Sequence, residues 1–119
     1  MIDLGPASSH PDAEIVSPKE EIERLRPVVN ALQKLDISLS VDSFHAETQR
    51  WAAAQNIAAL NDIQGFPDTS LYPELAAAKC KLIVMHSVQR QGKATRVNVD
   101  ASTILEEVLR FFDTRVEEL

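Results

Sequence analysis

Four short apolar runs, at residues 1–5, 37–42, 57–61 and 81–86, constrain this fold more than any other feature of the sequence. Each carries a polar residue at or near its end, and each is followed by a loop and then a helical pattern. After a loop at 6–16, Ser17-Pro18-Lys19-Glu20 forms a helix start. Ser17 serves as N-cap, Pro18 takes the first helical position, and Glu20 closes a capping box. Ile22, Leu25, Val28, Val29, Leu32 and Leu35 then keep the 3.6-residue spacing of a helix packed on one side. Pro27 falls inside that pattern and predicts a kink rather than two helices, since it removes one donor and crowds the preceding turn. Residues 46–55 predict a second helix with Trp51 on its buried face, and residues 70–79 a short third one, with Pro73 near its first turn. A loop at 87–100 leads to Ser102, a cap for a last helix striped by Ile104, Leu105, Val108, Phe111, Phe112, Val116 and Leu119.

The order is therefore β-α-β-α-β-α-β-α, with no hairpin signal. Such alternation implies right-handed crossovers and a parallel α/β sheet covered by helices. Two architectures satisfy it. One is a small doubly wound domain complete in this length. The other is a partial (β/α)8 TIM barrel of four consecutive βα units, the whole of which takes about 250 residues. A chain of 119 residues is one domain or a piece of one. Met1 runs straight into a strand and Leu119 falls within an apolar stripe, so the reading is a single domain over 1–119 truncated at both ends.

Composition removes several functions. The net charge of −6 argues against nonspecific nucleic-acid binding. No apolar run approaches the roughly 20 residues of a membrane span, and no signal segment opens the chain, so a cytoplasmic setting is expected. The single cysteine, Cys80, cannot form an internal disulfide and reads as a small buried hydrophobe rather than a reactive thiol.

In both architectures ligands gather beyond the carboxyl ends of the parallel strands. Asp3, Asp42, Asn61, Asp62 and His86 fall there. Taken singly, each acid reads as a helix cap or turn former. Taken together, carboxylate and amide in one mouth suit a ligand with paired N–H donors and ring acceptors, such as the edge of a pterin or purine. His10, His45 and His86 lack zinc spacing, and Gly5, Gly65 and Gly92 are isolated, so neither a zinc site nor a phosphate-cradling loop is indicated. Ser8 and Ser9 lack the setting of a nucleophile elbow. Arg90, Lys93 and Arg96 suit solvent as readily as phosphate.

Four stretches, in order, carry a resemblance: Asp3-Leu4-Gly5-Pro6-Ala7-Ser8-Ser9-His10-Pro11, Ser40-Val41-Asp42-Ser43, Leu60-Asn61-Asp62-Ile63-Gln64-Gly65 and Val84-Met85-His86. Together they resemble the central part of the dihydropteroate synthase family, above all its acquired, sulfonamide-insensitive forms. The resemblance selects the barrel and aligns the chain with strands two to five of it. It implies a Mg2+-assisted condensation of 6-hydroxymethyl-7,8-dihydropterin diphosphate with p-aminobenzoate, giving dihydropteroate and diphosphate. Such a substitution depends on leaving-group stabilisation and an aligned amine more than on a strong base.

By the same resemblance Asp42 and Asn61 bind the pterin ring, Ile63 and Met85 wall its pocket, and Asp3 lies at the floor. Ser8, Ser9, His10 and Pro11 belong to a p-aminobenzoate loop, in which Ser9 takes the place of a usual Thr and His10 that of a usual Arg. His45 stands where the family has Lys, and Pro6-Ala7 where it has Gly-Glu. No metal ligand is expected in this chain; the Mg2+ ligands belong to other strands of the family. The partners implied are the two small substrates, with neither nucleic acid nor membrane, and a homodimer is compatible with the full-length parent. The chain alone is expected to be inactive and poorly soluble. The alternatives are a non-catalytic half-barrel and a doubly wound response-regulator-like module with Asp42 as phosphoacceptor.

Overall fold

The computed structural model describes residues 1–8, 10, 12–87 and 97–119. Each apolar run forms a strand shorter than itself: β1 is Ile2–Leu4, β2 Leu39–Asp42, β3 Ala59–Asp62 and β4 Lys81–Val84. Between and after them lie α1 (Pro18–Gln33), α2 (Ala46–Ala53), a 3-10 turn at Thr69–Leu71 leading into α3 (Tyr72–Ala78), and α4 (Ile104–Glu118). The helix-to-strand turns account for the late starts of β2 and β3. One left-handed residue serves each of them: Asp36 (φ 55°), Asn56 (φ 56°) and Lys79 (φ 55°). Asp and Asn tolerate that conformation better than most residues. Ile37 and Ile57 thus fall outside the ladders but still pack on the core.

Local chemistry fixes the helix ends. Ser17 caps α1 through the expected box, its hydroxyl accepting from the Glu20 N–H while Glu20 accepts from the Ser17 N–H at 3.0 Å. The helix continues through Pro27 as one element. Its buried line is Glu21, Leu25 and Val29, spaced by four, while Val28 and Leu35 of the expected stripe are exposed. Ser102 does not cap α4. Asp100 organises that turn instead, accepting from both the N–H and the hydroxyl of Ser102, and Thr103 holds the cap position.

All strands are parallel and their order in the sheet is β1-β2-β3-β4, the order of the chain. This excludes the doubly wound alternative, whose sheet reverses direction at a switch point. Right-handed crossovers that always step the same way place every helix on one face, which is the arrangement of consecutive barrel units. Register sorts the side chains. Leu4, Val41, Leu60 and Leu82 align across one face and join the core with Leu25, Val29, Phe66, Leu71 and Leu75. Asp3, Ser40, Ala59 and Lys81 align across the other, with Asp42, Asn61 and Ile83 one step further along.

Candidate functional site

Strand parity decides which polar strand ends share a site. Successive side chains point to opposite faces. Asp3, Asp42 and Asn61 therefore meet on the face without helices, whereas Asp62 turns toward the helices. Asn61 Nδ2 donates to Asp3 Oδ2 at 3.3 Å, linking strands that are not neighbours in the sheet. Between them, Asp42 is half-buried, and its pKa is pushed up to about 6. Burial is the main cause, followed by the charges of Asp3, Asp62 and Glu21, all of one sign. No cation offsets them among these causes, so the cluster is set to receive donors rather than anions. Asn61 Oδ1 and Ser40 Oγ, both buried, have no hydrogen-bond partner among the described residues.

An amide oxygen, an amide N–H group and a carboxylate within one cluster can match the alternating donors and acceptors of a fused heterocycle. Apolar side chains lie alongside. Met85 continues the parity of Ile83 beyond the end of β4, and both are exposed. Ile63 is half-buried in the turn after β3.

The remaining expected positions divide. Asp62 is 1% exposed and organises its own turn: its carboxylate accepts from the N–H of Gln64 (2.8 Å), the N–H of Phe66 (3.0 Å) and Gln49 Nε2 (2.9 Å). Burial raises its pKa against those hydrogen bonds. In that turn Gly65 is left-handed (φ 67°), and a Cβ there would lie 2.8 Å from the Phe111 ring and 2.9 Å from the Met85 carbonyl oxygen. His86 packs edge-on against Phe111, at 5.1 Å between ring centroids, and so belongs to the helix side. In the loop after β1, Ser8 Oγ accepts from the His10 N–H and the Asp12 N–H donates to His10 Nδ1, a local turn among exposed residues. Ser9 and Pro11, like Arg90, Lys93 and Arg96, lie outside the described residues.

The sequence reading missed a polar layer behind the site. Glu21, Ser43, Thr48 and Gln49 are all buried. Glu21 Oε2 accepts from Ser43 Oγ at 2.7 Å and Thr48 Oγ1 at 2.6 Å, and His45 Nδ1 stands 3.2 Å from the same oxygen without hydrogen-bond alignment. Gln49 Nε2 donates both to the Ser43 carbonyl and to Asp62. A signal was present: Glu21 precedes Leu25 and Val29 by four and eight residues, on the buried line of α1 rather than its wet side.

Among the described residues, no group of three or more His, Cys, Asp or Glu could hold a metal ion. No helix among them is long and apolar enough to cross a membrane.

Comparison with known proteins finds relatives along the whole chain. The family described as "Pterin binding enzyme" matches residues 1–119. The type-1 dihydropteroate synthase of Escherichia coli is 51% identical over 120 residues, covering all of this chain and 43% of the relative. Among solved structures, a Yersinia pestis dihydropteroate synthase with a sulfonamide drug complex superposes with a TM-score of 0.82 at 30% identity, covering 98% of this chain and 42% of that one. A Xanthomonas albilineans dihydropteroate synthase with 4-aminobenzoic acid gives 0.77 at 28% identity, covering 97% and 40%. The chain thus spans less than half the length of the relatives it matches.

Proposed function

Because this chain belongs to the family of pterin binding enzymes, we propose that its open sheet face is the pterin-binding part of a dihydropteroate synthase. The observation that carries the reading is the convergence of Asp42, Asn61 and Asp3 from three different strands onto one face, with an unpartnered amide oxygen among them. In this reading the ionised Asp42 accepts the paired N–H groups of the pterin, and Asn61 supplies a donor and an acceptor. Met85 and Ile63 lie against the ring, and Asp3 holds Asn61 from the floor. Ser8, Ser9, His10 and Pro11 belong to the loop that meets p-aminobenzoate; 4-aminobenzoic acid in the X. albilineans relative supports that class of substrate.

The arylamine attacks the pterin methylene as diphosphate leaves. The contribution of these residues is to hold the ring still and keep it oriented for that substitution. The whole reaction belongs to the parent barrel, and the four units here hold the ring without turning it over. Mg2+ would be held by residues of the parent outside this set. The wording Asn61-Asp62-Ile63-Gln64-Gly65-Phe66-Pro67 supports a sulfonamide-insensitive parent.

Equilibrium dialysis of this chain against 6-hydroxymethylpterin tests the site. Asp42→Asn should weaken binding at least about 30-fold, the cost of breaking a charge-assisted pair worth roughly 2 kcal/mol or more. The urea midpoint at neutral pH should not fall, because the carboxylate carries little packing. Unchanged affinity in that variant refutes the assignment.

A further inference from the structure

The open face shows which atoms can meet a ligand; the layer behind it shows what holds them. Glu21 is 1% exposed, and no Arg or Lys pairs with it among the described contacts. His45, with Nδ1 3.2 Å from Oε2, pairs with it only when protonated. A buried carboxylate with no permanent cation beside it is costly and persists where its acceptor capacity or its charge is used. Both are in use here. One oxygen, Oε2, takes the hydroxyls of Ser43 and Thr48, joining α1 to the turn after β2 and to α2. Ser43 directly follows Asp42, and its main chain is fixed twice more: the N–H donates to the Asn61 carbonyl at 3.1 Å and the carbonyl accepts from Gln49 at 2.7 Å. The residue after Asp42 is thereby pinned from α1, α2 and β3 at once. The Glu21 charge also reaches Asp42, joining Asp3 and Asp62 in disfavouring its ionised form.

We propose that Glu21 is a positioning residue of the pterin site, fixing Asp42 through Ser43 and setting the electrostatic field in which Asp42 meets its ligand. The inference rests on the reading of Asp42 as the pterin-binding carboxylate. It goes further by assigning part of that work to a side chain on the far face of the sheet. The charged and titratable groups around Asp42 are Asp3 on β1, Asp62 on β3, Glu21 on α1 and His45 ahead of α2, next to Glu21. From β4 the same face receives Lys81, level with Asp3 and not among the charges acting on Asp42, and the apolar Ile83 and Met85.

Two variants separate shape from charge. In Glu21→Gln the amide oxygen can take the place of Oε2 and still accept from both hydroxyls, while the charge is gone. In Glu21→Ala both are lost. The first readout is the carbon NMR titration of the Asp42 carboxyl in the ligand-free chain. Its midpoint should fall in Glu21→Gln by about half a unit, less than the roughly one to three units an adjacent charge produces, because Glu21 is the weakest of the charges acting on Asp42. The fall should be less than in Asp3→Asn, since Asp3 acts more strongly. The second readout is dialysis against 6-hydroxymethylpterin across pH. Binding by the unaltered chain should strengthen as pH rises through about 6. In Glu21→Gln the profile should move to lower pH with its plateau within about threefold, whereas Glu21→Ala should lose about tenfold or more at every pH as Ser43 and Thr48 are left unpaired. A filler role in the core would leave the Asp42 midpoint and the pH profile where they are. An unmoved midpoint in Glu21→Gln overturns the proposal even if Glu21→Ala fails to fold. A moved midpoint without pterin binding by the unaltered chain supports the coupling and instead refutes the pterin reading.

Discussion

Asn61 and Asp62 are adjacent in sequence, and the sheet sends them to opposite sides. On the helix side Asp62 is enclosed and receives three hydrogen bonds, from one side chain and two backbone N–H groups. On the open side Asn61 makes one long bond to Asp3 and leaves its buried carbonyl oxygen without a partner, with the Ser40 hydroxyl in the same condition nearby. Asp62 thus completes its own bonding and builds the turn. Asn61 and Ser40 each leave a polar atom unpaired among the described residues, available to a ligand in the proposed reading. Residue type does not separate the two roles; the phase of the strand does.

The contrast is open to test, beginning with the largest effect. Asp62→Ala removes the acceptor of Gln49 Nε2 and of the Gln64 and Phe66 N–H groups, all within a buried turn. It should cost about 3–5 kcal/mol in urea unfolding, since each unsatisfied buried donor costs roughly 1–3 kcal/mol. A loss below about 1 kcal/mol would erase the distinction between the faces.

Next is the pH dependence of Asp42. Its folded pKa of about 6 lies above the ordinary value of 3.8, so the folded chain holds a proton that the unfolded chain releases. Stability from this group is therefore fully present below about pH 4 and lost as pH rises through about 6. For a carboxylate still half in solvent the swing should be about 1 kcal/mol after discounting for screening. Asp42→Asn should flatten that segment of the curve, and a slope that survives the substitution assigns it to another group.

The smallest effect belongs to Ser40→Ala. Removing a buried hydroxyl that has no partner should change stability by less than about 0.5 kcal/mol, toward the more stable side. A marked loss in that variant would mean that the open face satisfies its own polar groups after all.

The alternation of strand and helix was legible in the sequence because each run has its own period and boundary chemistry, as Ser17 and Glu20 show at the start of α1. The site was legible in part. Asp3, Asp42 and Asn61 do meet, whereas Asp62 and His86, equally polar and equally placed at strand ends, belong to turn and helix packing. Counting phase from a buried Leu or Val in each strand separates them, and that count needs the register the structure supplies. The layer behind the site was hidden for a different reason. Glu21 follows a helix start, where acids usually serve the dipole and face water, and its partners Ser43 and Thr48 lie 22 and 27 residues away. Ser102 misled in the opposite direction, since a serine before a helix is a common cap and here Asp100 takes the role of organiser.

The strand order carries a consequence for how the chain comes to be folded. Every strand pairs with the one made just before it, and α1 packs on α2 and α2 on α3 in the same sequence. Each closure spans only one crossover, so its entropic cost is that of a short loop. No strand waits for a distant partner, so a nascent chain can add one unit at a time to an edge already formed.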